Sequence, residues 1–94
     1  MRIEISKHAK SAHPEVSEKD IIETIDNPHE KYFDKMRDRL VFLRKMNDSW
    51  LCVIFEKSDN NIYVVTAFYM SSDKKNKYVN RKLRLNLWYP ISDG

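Results

Sequence analysis

The sequence is almost without glycine: the only one is Gly94, the last residue. That excludes every phosphate-binding loop built on glycine backbone, and with it the dinucleotide fingerprint. A single cysteine, Cys52, allows no disulfide within the chain and no paired-cysteine zinc knuckle. Its setting in Trp50–Phe55 reads as buried, which makes it a small core hydrophobe rather than a reactive thiolate. There is no His-Glu-x-x-His run, and the three histidines at 8, 13 and 29 have no metal-ligand spacing. No apolar run approaches the roughly 18 residues of a membrane span, and no charged start leads into an apolar signal core. The expectation is a cytoplasmic protein with no metal, no cofactor and no membrane partner.

What is present fits one folded domain. The 94 residues are 41% hydrophobic and 12% aromatic, enough for one modest core spanning 1–94. The 33% charged fraction is high, but the apolar runs are too strong for a disordered chain. Net charge is +3 and the pI about 9.0. The distribution says more than the total. From Lys74 to Arg84 there are six cations, Lys74, Lys75, Lys77, Arg81, Lys82 and Arg84, and no acid. Most acids lie earlier, half of them in Glu15–Asp26 and Asp34–Asp38. Such asymmetry fits a polyanion bound on one side, and it also fits a solvated basic C-terminal segment, 71–94, kept for solubility.

Periodicity divides the chain in two. Arg2–Ser6 alternates as a short strand or extended lead-in, and Ser6 can cap a short helix over Lys7–Ala12 that Pro14 stops. Ser17 is a second cap, with Asp20 three residues on and Val16 and Ile21 placed as a hydrophobic staple. Ile21, Ile22 and Ile25 give an apolar helical stripe, and Asn27-Pro28 ends this helix near Asp26. Strand-like runs follow: Lys31–Asp34 as an edge, Arg39–Lys45, the uninterrupted Trp50–Phe55 as a central strand, and Ile62–Tyr69. Short turns between them require antiparallel neighbours. Ser71–Asn80 reads as a loop, and alternating Leu83, Leu85, Leu87 and Tyr89 as a final extended segment. The expected fold is α+β, with N-terminal helices packed on one face of a three- to four-stranded antiparallel sheet.

All the plausible acid/base histidines thus precede a β-meander bearing polar and basic groups. Cleaving RNA through its own 2′-hydroxyl needs a base, an acid and a cation or donors for the phosphorane. Histidine titrates near neutrality, and arginine and lysine bind phosphate as fork and point charge. His8, His13, Arg44 and Thr66 are the candidates for such chemistry. Arg39, Lys45 and Tyr69, with the cations from Lys74 to Arg84, are candidates for holding RNA; tyrosines can also stack on bases. Each has a structural alternative: a surface histidine, a helix–loop corner, a solvated strand end, a β-forming threonine. A third reading makes Trp88-Tyr89-Pro90-Ile91 an exposed end that docks on a neighbour.

The order of His8-Ala9, a capped helix ending in Asn27-Pro28, and strands finishing in Val64-Val65-Thr66-Ala67-Phe68 resembles small domains grouped with RelE-like toxins. It is similar also to the wider barnase-, EndoU-, colicin- and RelE-like nucleases, over residues 3–70. The resemblance implies helices on one face of a four-stranded antiparallel sheet, with RNA bound on the open face. It implies cleavage without metal by a toxin or phage- or plasmid-related effector, held in check by an antitoxin or immunity protein. By motif, His8 or His13 would be the acid/base group, Arg39 or Arg44 the strand cation, and Thr66 the threonine of the last core strand. Two patterns mix: relatives carry an arginine after His-Ala where this chain has Lys10, while His13-Pro14-Glu15 matches another branch.

Overall fold

A computed structural model describes residues 2–92; Met1, Asp93 and Gly94, the last two at the end of the 71–94 segment, lie outside the described residues. The elements run β1 (Arg2–Ile5), α1 (Lys7–Ala12), α2 (Glu18–Asp26), β2 (Glu30–Asp34), β3 (Arg39–Met46), β4 (Ser49–Ser58), β5 (Asn61–Ser71), α3 (Ser72–Arg84) and β6 (Trp88–Pro90). They build one mixed six-stranded sheet in the order β1-β5-β4-β3-β2-β6. The expected three- to four-stranded antiparallel sheet is therefore corrected. Its meander is present as β2 to β5, but β1 adds in parallel to β5 and β6 adds antiparallel to β2. Turn length predicts only pairings between consecutive strands, and both added strands join across long stretches of chain. For the same reason β2 is internal rather than an edge.

The two N-terminal helices form where their caps lie. Ser6 Oγ accepts from the Ala9 N–H at 3.0 Å, and Ser17 Oγ from the Asp20 N–H at 3.1 Å. Ile21 and Ile25 are buried, but Ile22 is exposed and Thr24 takes its place, its hydroxyl donating to the Asp20 carbonyl at 2.9 Å. These helices cover one face of the sheet, over Leu51, Val53, Phe55, Ile62, Val64 and Ala67.

The opposite face is not open. The stretch Ser71–Asn80, read as a loop, is instead the cap and the first nine residues of α3, with Ser71 Oγ accepting from the Lys74 N–H at 3.2 Å. Asp73 in its first turn and Arg81, Lys82 and Arg84 in its last complement the helix dipole. Its inward positions, Lys75, Tyr78, Val79 and Leu83, hide the helical period because one of them is a lysine. They pack toward Val41, Leu43, Cys52 and Trp88. Cys52 is fully buried, and burial raises its thiol pKa. Trp88 is 2% exposed and lies between Tyr32 and Tyr78, so the expected exposed Trp88–Ile91 end is replaced by a short strand with one anchored ring. The extended reading of Leu83 to Tyr89 holds only from Trp88.

One irregularity decides which side chains face α3. The β4–β5 register pairs Ile54 with Thr66 but Phe55 with Val64, leaving Val65 as the extra residue of a bulge. Ser6 fills the opening: its N–H donates to the Val64 carbonyl at 2.9 Å and its hydroxyl to the Val65 carbonyl at 2.8 Å. Before the bulge Ile62 and Val64 face α1 and α2; after it Ala67 and Tyr69 do. Phe68 and Met70 are thereby turned toward α3.

Candidate functional site

His13 is the C-cap of α1, held there because Pro14 cannot continue the helix. Its imidazole lies against Phe68, ring centroids 5.8 Å apart, and its Nδ1 is 3.8 Å from Glu15 Oε1. Phe68 reaches this position through the bulge, and meets Tyr78 of α3 edge-on at 6.1 Å. Between the α1–α2 corner and the start of α3 lies a cleft of about 360 Å³ lined by His13, Glu15, Phe68, Tyr69, Met70, Lys74 and Tyr78. An imidazole, a carboxylate and an ammonium thus share one cavity with an aromatic floor. Burial, foremost, raises the Tyr78 phenol pKa, so this hydroxyl stays protonated near neutral pH.

The six cations of α3 divide into two groups. Lys75 is 6% exposed, paired with Glu30, its ammonium 4.1 Å from the centre of the Trp50 ring. Glu30 also accepts from the Tyr32 hydroxyl at 2.7 Å, and the Tyr32 phenol pKa is raised by burial and by that carboxylate. Lys82 folds over Tyr78 and Trp88 at 5.4 and 5.7 Å. Lys74, Lys77, Arg81 and Arg84 are exposed instead. Their spacing of three, four and three residues places them on one stripe about 15 Å long, with Lys74 at the cleft. Among the described residues no ion pair ties down any of these four.

The other expected site residues lie elsewhere. Arg44 is on the α2 side, donating to the Asn27 carbonyl at 2.6 Å and standing 3.6 Å from Glu23, where it satisfies the C-terminal end of α2. Thr66, opposite Ile54, is on the α3 side. The two are separated by the sheet. His8 is exposed on α1 and lines none of the described clefts. His8, His13, Arg44 and Thr66 therefore do not form one cluster. Arg39 pairs with Glu56 at 3.3 Å, and the Lys45 N–H donates to His29 Nδ1 at 2.9 Å.

Tyr69 stands between two clefts. Its hydroxyl donates to Asp20 at 2.7 Å, and burial, that hydrogen bond and the Asp20 and Glu15 charges push its pKa up to about 12. The second cleft, about 670 Å³, runs past Asp20, Glu23, Arg44 and the Asn47–Asp48 turn, and most of its lining residues are polar or charged. Sequence reasoning missed Glu15 and Phe68 as site residues. Glu15 was legible as the first acid beyond His13 across Pro14, whereas Phe68 depended on a bulge.

A protein-family model described as a domain of unknown function, DUF4258, matches residues 5–69, from the end of β1 to the close of β5. No curated protein and no solved structure matches the chain. Because the matched stretch covers more than half of its length, the chain belongs to the DUF4258 family.

Proposed function

We propose that this protein binds RNA along α3 and cleaves it at the His13 cleft, without a metal, as a cytoplasmic toxin-like ribonuclease. The observation that supports this reading is the placement of His13, Glu15 and Lys74 in one cleft at the head of the outward cation stripe. In the proposed reaction the ribose 2′-oxygen bonds to phosphorus and the bond from phosphorus to the 5′-oxygen breaks. The proton leaving the 2′-hydroxyl goes to the Glu15 carboxylate, and protonated His13 gives one to the departing 5′-oxygen. A 2′,3′-cyclic phosphate and a 5′-hydroxyl result. Lys74 neutralises charge that collects on the phosphorane oxygens. A protein that restrains such a toxin would cover the stripe with an acidic surface.

Incubating the purified chain with single-stranded RNA in EDTA tests the proposal. Product ends carrying cyclic phosphate are expected, with a loss of about 10²-fold or more in His13→Ala. No product, or undiminished cutting by His13→Ala, refutes it. A second reading, a non-catalytic module that binds RNA or a protein, is favoured by the absence of His8, Arg44 and Thr66 from the lining of the cleft. It predicts retention on RNA, or on a protein partner, with no product in the same assay.

A further inference from the structure

We infer that the cleft beside His13 is a subsite for one unstacked nucleobase, so that the RNA partner is single-stranded. This rests on the reading of the chain as an RNA-binding protein and names which form of RNA that site accepts. The two clefts that meet at Tyr69 differ in what they offer. The cleft at the β3–β4 turn is lined mostly by charged and polar residues, with Met46 and one aromatic ring, Tyr69, which is tethered through its hydroxyl to Asp20. The smaller one is lined by Phe68, Tyr69, Met70 and Tyr78, with Lys74, Glu15 and the His13 imidazole beside them. Its volume, about 360 Å³, falls within the ~300–1,000 Å³ range of small-molecule sites.

Phe68 and Tyr78 are half-buried, and they are fixed from behind. Tyr78 meets Phe68 edge-on at 71° and Trp88 edge-on at 87°, and Trp88 stacks on Tyr32 at 5.6 Å. A floor held this way loses little side-chain freedom when a flat ring is laid on it. Lys74 links this floor to the cation stripe, so a strand whose phosphates follow α3 is delivered with a base at the cleft. A duplex keeps its bases stacked inward and offers the cleft no free ring. Sequence-tolerant single-strand sites generally combine such a basic track with aromatic platforms.

The test measures affinity of the full chain for short single-stranded RNA, for the same strand in duplex, and for a strand lacking its bases. A fluorescent adenine analogue in the single strand reports stacking by quenching. The expected result is preference for the single strand over both competitors, quenching on binding, and about tenfold or greater weakening by Phe68→Leu. Because Phe68→Leu can also loosen the sheet, Tyr78→Leu and far-ultraviolet circular dichroism accompany it, and only folded variants are compared. Equal affinity for single strand and duplex, or binding indifferent to the missing bases, overturns the subsite while leaving RNA binding intact. Failure to bind any of the three overturns the RNA reading itself.

Discussion

Neutralising two of the four outward cations of α3 should halve the salt dependence of RNA binding. Lys74, Lys77, Arg81 and Arg84 lie on one exposed stripe, whereas Lys75 is buried on Glu30 and Trp50 and Lys82 on two aromatic rings. Each phosphate neutralised on a single strand contributes a slope of about −0.7 to log affinity against log salt. Four contacts give a slope of about −2.8, so doubling the salt weakens binding about sevenfold. In the double variant Lys77→Gln/Arg81→Gln two contacts remain, with a slope of about −1.4 and a weakening of about 2.6-fold. Lys82→Gln is the internal control, because its ammonium already faces Tyr78 and Trp88. Fluorescence anisotropy with a labelled RNA strand across a salt series measures all three slopes. A slope unchanged in the double variant, or a fall in Lys82→Gln as large as that of the double, refutes the division into inner and outer cations.

Two further outcomes concern the groups that hold α3 and α2 in place. Glu30→Gln leaves the Lys75 ammonium without its counter-ion in a site where that ammonium is almost fully buried; discounting for the partly exposed carboxylate, the cost is about 2 kcal/mol, a fall of roughly 10 °C in Tm. Adding Lys75→Met should recover part of it, and a Glu30→Gln melt equal to wild type would show that the pair does not stabilise the fold. Tyr69 has its pKa raised from 10.0 to about 12, so the fold favours the neutral phenol. Its contribution is complete below pH 10 and disappears as pH rises through about 12. Urea midpoints should fall more steeply over that interval in wild type than in Tyr69→Phe, and parallel curves would argue against the Asp20 contact.

The N-terminal half was legible because its signals are local. Ser6, Ser17, Pro14 and Asn27-Pro28 fix helix ends through contacts within a few residues, and the four-strand meander follows from short turns. Three features were not. β1 joins β5 in parallel across more than fifty residues, which no turn signal announces. The α3 period was obscured because Lys75 is buried and Lys82 half-buried, with cation–π contacts standing where apolar side chains would usually mark the face. The bulge at Val65 reversed the alternation of β5 halfway along. Ile62–Tyr69 reads as one regular strand, and regular alternation would put Phe68 on the same face as Val64. The candidate site is accordingly half legible: the sequence names His13 and Lys74, but it also names Arg44 and Thr66, which lie on opposite faces of the sheet.

The position of the cleft follows from where strand pairing stops. β1 accompanies β5 only as far as Ile5 opposite Val64, and beyond that point β5 has no strand on its outer side among the described residues. The chain leaves the sheet at Ser6, whose two hydrogen bonds to Val64 and Val65 close the bulge as α1 begins. Six residues of helix then carry it to His13, and Pro14 turns it around the free edge. The successive residues Phe68 and Tyr69 point to opposite faces there: one meets the His13 ring, the other binds Asp20 on α2. The same two-residue stretch of β5 therefore fixes both the floor of the cleft and the helix that follows its histidine. A displacement of α2 that breaks the Tyr69–Asp20 bond must also shift the corner holding His13 and Glu15. The bulge, the free edge and the proline corner act as one device, and it is this device, more than any single side chain, that brings an imidazole and a carboxylate to the head of a basic helix.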